Sequence, residues 1–176
     1  YIVATPIGNF ADLSDRAKHI LATVPYIACE DTRHSGLLLK DLNRVGQLLS
    51  CHEHNEAARS LQLIEFLQAG SDVALISDAG TPLMSDPGHR LLKAAYAANI
   101  NVTAIPGPCA IINALVLSGL PTHSFYFGGF LPVKSGQRLG VLSAAKAIPS
   151  TLIFYESPHR IVKSLQAIAQ VFPDQE

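Results

Sequence analysis

The sequence V-A-L-I-S-D-A-G-T-P-L-M-S-D-P-G, residues 73–88, decides the fold predicted for the whole chain. It begins with the apolar run Val73–Ile76, which is typical of a strand buried on both faces. A loop rich in Gly, Pro and Asp follows, and a helical pattern begins at His89. Ligands of parallel α/β sheets lie beyond the carboxyl ends of the strands, in loops of this kind. Because the loop carries Asp78 and Asp86 but no Lys or Arg, it favours a cationic or hydroxyl-rich ligand over a bare phosphate.

Strands alternate with helices on both sides of this stretch, up to about residue 120. The predicted strands are Tyr1–Thr5, Tyr26–Cys29, Gln47–Cys51, Val73–Ile76 and Asn101–Ile105. The predicted helices are one capped by Asp12 or Ser14, Gly36–Leu42, one running from an Asn55 cap to Gly70, Arg90–Ala98 and Ala110–Leu117. This alternation predicts an α/β fold whose first domain is a five-stranded, mostly parallel sheet. The loops after its strands should gather along one edge.

Gly and Pro at residues 118–122 predict a domain boundary. We therefore expect an N-terminal α/β domain over residues 1–120 and the first part of a second α/β domain over residues 121–176. The second should contain the strand Ser124–Gly128, the turn Gly129–Pro132, the helix Ser135–Ala147, the strand Thr151–Tyr155 and the helix Ile161–Val171. Since the chain begins with Tyr1 and stops soon after a helix, we expect a fragment whose second domain is incomplete.

Composition bounds the class of protein. The chain has 176 residues, of which 48% are hydrophobic and 15% charged, and its net charge of −1 is not that of a strongly basic nucleic-acid binder. A local basic patch is still compatible with this charge. No apolar run is long enough to cross a bilayer, and no signal-peptide pattern begins the chain. The separated cysteines Cys29, Cys51 and Cys109 indicate reduced thiols, and the cytoplasm is the expected location.

Two Gly/Pro turns follow the first and fifth predicted strands. Thr5-Pro6-Ile7-Gly8-Asn9 lacks the glycines of a dinucleotide fingerprint, so it is either a plain turn or a binding loop of another kind. Pro106-Gly107-Pro108-Cys109-Ala110 begins a helix, where main-chain N–H groups are free to bind a ligand. A nucleophilic role for Cys109 is disfavoured, because no His is related to it by a known spacing.

Two polar clusters have competing interpretations. Cys51-His52-Glu53-His54 could hold zinc, but no second ligand pair with matching spacing accompanies it, so hydrogen bonding at the strand end is favoured and no metal is expected. Glu30-Asp31-Thr32-Arg33-His34 is either a helix cap with an internal Asp–Arg pair or a site of substrate positioning and acid–base chemistry.

Taken together, several stretches resemble the tetrapyrrole methylase superfamily of S-adenosylmethionine-dependent methyltransferases, and within it the branch that acts on ribosomal RNA. They run in order through nearly the whole chain: Y-I-V-A-T-P-I-G-N, E-D-T-R-H-S-G-L-L-L, H-E-H-N-E, L-I-S-D-A-G-T-P-L-M-S-D-P-G, P-G-P-C-A, G-G-F-L-P and T-L-I-F-Y-E-S-P-H-R. No single segment is decisive, but the set is specific. The E-D-T-R-H, D-A-G-T-P and F-Y-E-S-P-H-R segments favour the ribosomal RNA branch.

The resemblance implies two α/β domains with S-adenosylmethionine in the cleft between them, a homodimer, and 2′-O-methylation of a cytidine ribose in 16S ribosomal RNA. Carried over residue by residue, it places the methyl donor near a set of loop residues from both domains, many of them in contact through main-chain atoms. These residues are Ile7, Asp78, Thr81, Cys109, Ala110 and Glu156. Relatives that act on tetrapyrroles usually carry an acidic residue where Asn9 stands, so no base is expected there.

We expect Asp31 with Arg33 to serve the acceptor hydroxyl, through proton removal and charge stabilisation. Phosphates of the RNA need cations, and Lys134, Arg138 and Arg160 are the expected contacts. Alternatives stay open at this stage: a tetrapyrrole or other small-molecule acceptor, a non-catalytic α/β binding module, or a zinc hydrolase built on His52 and His54.

Overall fold

A parallel sheet forms the centre of the first part of the molecule in the computed structural model, which describes residues 1–173. Its five strands are β1 Ile2–Val3, β2 Tyr26–Cys29, β3 Gln47–Ser50, β4 Val73–Leu75 and β5 Ala104–Ile105. They pair in the order β3-β2-β4-β1-β5, and every pairing is parallel. The predicted five-stranded sheet is confirmed. Because β1 lies between β4 and β5, the loops that follow these strands are neighbours at one edge.

A helix follows each strand. The helices are α1 Asp15–Thr23, α2 Thr32–Leu38, α3 Glu56–Gln68, α4 His89–Ala97 and α5 Ala110–Leu117. Ser14, one of the two predicted caps of α1, accepts a hydrogen bond from the Ala17 N–H at 3.2 Å. Gly70 follows α3 with a φ of +87°, the left-handed conformation that ends a helix at glycine.

The start of α2 differs from the prediction. A helix was expected from Gly36, but α2 begins at Thr32 because Asp31 occupies the N-cap position and its carboxylate accepts from the Arg33 N–H at 2.8 Å. This cap therefore places the start of α2 close to the end of β2.

Asn55 precedes α3 as predicted, but its side chain makes no cap hydrogen bond to the helix. Its Oδ1 accepts from the His52 N–H at 2.8 Å, and its Nδ2 donates to the Ser50 carbonyl at 3.1 Å. Asn55 therefore ties the helix start to β3 instead of capping α3.

Apolar side chains pack in two clusters on opposite faces of the sheet, because successive strand residues point to opposite sides. One cluster contains Ile27 and Ala74, and the other contains Ala28 and Leu75, their neighbours along β2 and β4. All three residues of β4 are buried, as its apolar run predicts. Each large buried side chain contributes about 1.5–3 kcal/mol to folding.

A smaller α/β unit follows. It contains β6 Phe125–Phe130, α6 Ser135–Ala145, β7 Thr151–Tyr155 and α7 Ile161–Val171, and β6 pairs in parallel with β7. The predicted turn at Gly129–Pro132 is wrong, because β6 continues to Phe130 through an irregularity between Phe127 and Phe130. A Cβ at Gly128 would lie 2.2 Å from a ring carbon of Phe154, so glycine lets this ring pack against the strand.

The chain divides into two compact units, Tyr1–Ala110 and Ile111–Glu176. The division falls before most of α5, whereas Gly and Pro punctuation suggested residues 118–122, since these residue types mark turns and not changes in packing. Among the described residues, no helix has both the length and the apolar character needed to cross a membrane.

Candidate functional site

Two loops at the carboxyl edge of the sheet are bonded to each other through Thr5. Its N–H donates to the Gly80 carbonyl at 2.9 Å, and the Gly80 N–H donates back to the Thr5 carbonyl at 3.0 Å. The Thr5 hydroxyl, which is fully buried, donates to the Ser77 carbonyl at 3.1 Å. The loops after β1 and β4 therefore form one rigid surface.

The loop after β5 joins the same surface. The Thr81 hydroxyl donates to the Pro108 carbonyl at 3.0 Å. A Cβ at Gly80, whose φ is +82°, would lie 3.3 Å from the Ile7 Cγ2 atom and 3.8 Å from the Pro108 oxygen. Ile7, Asp78, Thr81 and Cys109 lie in these loops and Ala110 begins α5, so the predicted site residues of the first domain share this edge.

Asp78 has an unsatisfied atom at this edge. Its Oδ1 is buried and has no hydrogen-bond partner within residues 1–173. Buried carboxylate oxygens are normally paired, so this atom is suited to a hydroxyl donor or a cation of a ligand. The main-chain oxygen of Asp78 accepts from His34 Nε2 at 3.1 Å, and this bond joins α2 to the loop after β4.

Other carboxylates share the edge with Asp78. Burial raises the pKa of Glu30, and the charges of Asp78 and Asp86 raise it further. Burial likewise raises the pKa of Asp86; a hydrogen bond from Ser77 opposes the increase, and the charge of Asp78 adds to it. Both shifts reflect anions that lack water and repel one another, so the edge favours a positively charged ligand.

Asp31 and Arg33 form a two-pronged ion pair beside this edge, at the end of β2. Arg33 Nε donates to Asp31 Oδ1 at 3.1 Å, and Nη2 donates to Oδ2 at 2.7 Å. The side chain of Arg33 is 89% exposed. The hydrogen bonds from the Arg33 side chain and main chain hold the pKa of Asp31 well below its usual range. Asp31 is consequently a poor proton acceptor, and it fixes the direction of an exposed guanidinium.

Glu156, expected near the donor from the second domain, has its carboxylate engaged inside its own unit. It accepts from the Ser157 N–H at 2.7 Å, from Arg160 Nη2 at 2.6 Å and from the Ser164 hydroxyl, and its side chain is only 6% exposed. Burial alone would raise the pKa of Glu156, but these hydrogen bonds and the charge of Arg160 outweigh it and lower the pKa. Most of the acceptor capacity of this carboxylate is therefore used within its own unit.

The three cations expected to meet RNA phosphates differ in accessibility. Lys134 is exposed, whereas Arg138 is 5% exposed and its Nη1 points to the carbonyls of Pro132 and Val133 at 3.4 and 3.5 Å. Arg160 is paired with Glu156 and also donates to a main-chain carbonyl. Arg138 therefore belongs to the interior of its unit.

His52 and His54 lie edge to face with ring centres 5.9 Å apart. In the described part of the chain, no group of three or more His, Cys, Asp and Glu side chains could hold a metal ion. The thiols of Cys29 and Cys51 are buried, and burial raises the pKa of Cys51 to about 11. Burial therefore makes both thiols poor nucleophiles.

Sequence reasoning named Thr5, Glu30, His34 and Asp86 only as members of separate segments and did not bring them together at one edge. Glu30 is the first polar residue after β2, and Asp86 lies in the loop after β4, so position at a strand end was the signal for both. Thr5 and His34 act through partners about 75 and 44 residues away, and no local pattern records such pairs.

A sequence model of the family described as Tetrapyrrole (Corrin/Porphyrin) Methylases matches residues 1–176. The chain is 50% identical over 171 residues to Ribosomal RNA small subunit methyltransferase I of Escherichia coli O157:H7, covering 97% of this chain and 60% of that protein. It is 54% identical over 170 residues to the protein of the same name from Mesorhizobium japonicum, covering 97% of this chain and 58% of the relative. The chain thus spans about three fifths of the length of these relatives.

Solved structures share the architecture at lower identity. A uroporphyrin-III-C-methyltransferase from Thermus thermophilus superposes with a TM-score of 0.62 at 21% identity, covering 99% of this chain and 72% of that one. A second crystal structure, of the native form of the Thermus thermophilus enzyme, gives a TM-score of 0.63 at 18% identity, covering 97% of this chain and 75% of the other. At these identities the likeness concerns the fold alone.

Proposed function

Because the chain belongs to the tetrapyrrole methylase family, we propose that it is part of an S-adenosylmethionine-dependent methyltransferase that acts on 16S ribosomal RNA. The proposed reaction is 2′-O-methylation of a cytidine ribose. The observation that carries it is identity of about half over nearly the whole chain to proteins named as ribosomal RNA small subunit methyltransferases. A ribosomal RNA acceptor makes the cytoplasm the site of action, and we propose a homodimer as the active assembly.

The donor site in this proposal is the surface formed by the loops after β1, β4 and β5. Ile7 supplies an apolar contact, and the unpaired Oδ1 of Asp78 accepts a hydrogen bond from a hydroxyl group of the methyl donor. Thr81 keeps the loop after β5 in place, and Cys109 and Ala110 offer main-chain N–H groups at the start of α5. The carboxylates Glu30 and Asp86 give the edge the negative charge that a sulfonium cation needs.

A cleft between two α/β domains is the proposed setting of this site, with Glu156 contributing from the second domain. Its carboxylate is engaged by Arg160 and Ser164, so its contribution to donor binding is through the main chain around it. The side chain holds the end of β7 against the start of α7.

Transfer requires alignment of the acceptor with the donor and exclusion of water. When bound, S-adenosylmethionine supplies a methyl group on a positively charged sulfur, which is a good leaving group. Arg33 faces solvent beside the edge and is the group we assign to the acceptor, where its guanidinium stabilises charge on the ribose oxygen or a neighbouring phosphate. Asp31 orients Arg33, and Lys134 is the exposed cation assigned to the RNA backbone.

The test is transfer of a radiolabelled methyl group from S-adenosylmethionine by the complete natural protein. Small ribosomal subunits and their naked RNA are the acceptors, and the product is digested and analysed as nucleosides. We expect label in a 2′-O-methylated cytidine. Label on a uroporphyrinogen acceptor instead would establish the small-molecule alternative, and donor binding without transfer to any acceptor would leave a binding module.

A further inference from the structure

A buried carboxylate holds the far end of the loop after β4. Glu56 is the first residue of α3 and is 7% exposed. Its Oε1 atom accepts from the Gly88 N–H at 3.0 Å and from the Arg90 N–H at 2.7 Å. These donors lie at the start of α4, whose N-cap residue Gly88 provides no side-chain cap. Glu56 therefore caps α4 from another helix, with a negative charge at the positive end of the α4 dipole.

The loop that ends there has a strained main chain. Leu83 and Ser85 have φ values of 74° and 68°, in the left-handed region that residues with side chains rarely adopt. Gly88 has a φ of 119°, and a Cβ on it would lie 2.5 Å from Leu75 Cδ2. Strained residues persist only where the surrounding structure fixes them, so this loop needs anchors at both ends.

At the near end, hydrogen bonds between Gly80 and Thr5 and between Thr81 and Pro108 anchor the loop. Within residues 77–88, Asp78 and Thr81 are donor-site residues of the proposed function. At the far end the side-chain anchor is Glu56, which belongs to the H-E-H-N-E segment that the proposed chemistry leaves without a role. In the same segment, Asn55 ties the start of α3 to β3 and so fixes Glu56 in turn.

We propose that Glu56 is a positioning residue, which keeps the loop of residues 77–88 in the conformation that binds the methyl donor. This inference rests on the proposed function. A loop held in its binding conformation before the ligand arrives loses less conformational freedom on binding, so the anchor sets donor affinity without touching the donor. The anchor acts on binding and not on the methyl-transfer step.

The experiment uses the complete natural protein and the variants Glu56→Ala, Glu56→Asp and Glu56→Gln. Glu65→Ala is the matched control, because Glu65 is an exposed glutamate on the same helix. Hydrogen exchange over residues 77–92 is measured without ligand, calorimetry measures S-adenosylmethionine binding, and steady-state assays separate KM for the donor from kcat.

We expect Glu56→Ala to speed exchange at residues 83–90 and to raise the donor Kd and KM about tenfold, with kcat at saturating donor within about twofold of wild type. Glu56→Gln keeps an acceptor oxygen, so its Kd should stay within about threefold of wild type. Glu56→Asp keeps the negative charge, but its shorter side chain should not reach the N–H groups of Gly88 and Arg90. If Glu56→Ala does not fold, the donor affinity of Glu56→Asp tests the proposal.

Donor affinity unchanged in Glu56→Asp and in any folded Glu56→Ala protein would overturn the proposal, as would a Glu65→Ala protein that behaves in the same way as Glu56→Ala. A fall in kcat with unchanged KM would also overturn it, because that pattern indicates loss of active protein or of the chemical step. If wild-type protein binds no donor, the proposed function fails. In that case unchanged exchange at residues 83–90 refutes the anchor as well, and faster exchange supports the anchor alone.

Discussion

The carboxylate of Asp31 has two partners within two residues of itself, the N terminus of α2 and the guanidinium of Arg33. A sequence pattern can suggest such a pair, because residues two apart across a helix start are always close. It cannot tell which partner does the chemistry. What the structure adds is that the bonds to Arg33 lower the pKa of Asp31, whereas the side chain of Arg33 stays exposed.

We expect Arg33→Ala to reduce methyl transfer about 10- to 100-fold, because the guanidinium proposed to stabilise charge on the acceptor is lost. Asp31→Asn should give a smaller loss, since Arg33 keeps its charge but not its fixed direction. Both predictions are checked by measuring kcat/KM with ribosomal subunits as acceptor and, separately, the affinity for the methyl donor. Arg16→Ala removes an exposed arginine of α1 and serves as control. Equal rates for all variants would remove the pair from the mechanism.

Gly88 combines a left-handed main chain with a close packing contact. Gly88→Ala should lower the free energy of unfolding by about 2–4 kcal/mol, because strain at positive φ adds to a Cβ placed 2.5 Å from Leu75. Denaturant unfolding measures the loss.

Gly70 is the matched control, since its φ is +87° and a Cβ there meets nothing within 4 Å. Gly70→Ala should show the strain alone, about 1 kcal/mol. Equal losses at Gly70 and Gly88 would mean that the contact with Leu75 relaxes freely.

Strands and helices follow from local patterns to different degrees. The bounds of β2, α5, β7 and α7 agree with the prediction, because each is a clear apolar or periodic run between polar residues. The start of α2 differs because the Asp31 cap lies upstream of the apolar run on which the prediction relied. At Asn55 the helix start agrees with the prediction, but the side chain bonds to β3 instead of capping α3. The extension of β6 through Gly128 and Gly129 depends on the ring of Phe154, which no glycine-based turn rule takes into account.

Glu156 joins the end of β7 to the start of α7, and its lowered pKa makes this junction sensitive to acid. An unfolded glutamate titrates near about pH 4.3. Because the folded pKa is lower, the stabilisation is fully present above that pH and is lost as the pH falls through the folded value.

Glu156→Gln should destabilise the protein by about 1–3 kcal/mol at neutral pH, since the half-buried Arg160 loses its carboxylate partner. The difference from wild type should shrink at pH 3. Thermal unfolding of both proteins at pH 7 and pH 3 measures it. A difference of the same size at both values would show that Glu156 contributes through packing and not through charge.

At the scale of the whole molecule, the two units have unequal cores. Residues 1–110 contain both large apolar clusters and the complete five-stranded sheet. The second unit has a two-stranded sheet and a cluster with three buried members, Leu131, Leu142 and Ala167. Sheets of two strands are marginal by themselves.

We therefore expect residues 1–110, expressed alone, to unfold cooperatively, and residues 111–176 alone to lack a cooperative transition. Circular dichroism during heating and denaturant titration distinguishes these outcomes. A cooperative transition in the second piece, or none in the first, would contradict this division of stability.

The convergence of loops was predicted from the sequence, because parallel strands must end on one side. Which loops touch was not, since strand order depends on pairings between residues about 75 to 100 positions apart. The bonds of Thr5 with Gly80 and of Thr81 with Pro108 exist only because β1 lies between β4 and β5. For the same reason the segment 73–88 indicated the carboxylates of Asp78 and Asp86, but not that Glu30 joins them at this edge.

The central position of β1 has a consequence during synthesis on the ribosome. Among the strands of this sheet β1 is made first, and its two hydrogen-bonding edges pair with β4 and β5, which are made last. β2 and β3 can pair early, but β1 gains its first partner only when β4 has emerged and its second only when β5 has emerged. Nascent chains that stall before β4 should therefore be the ones that chaperones retain, and the proposed donor surface is completed only after Pro108, the partner of Thr81, has emerged.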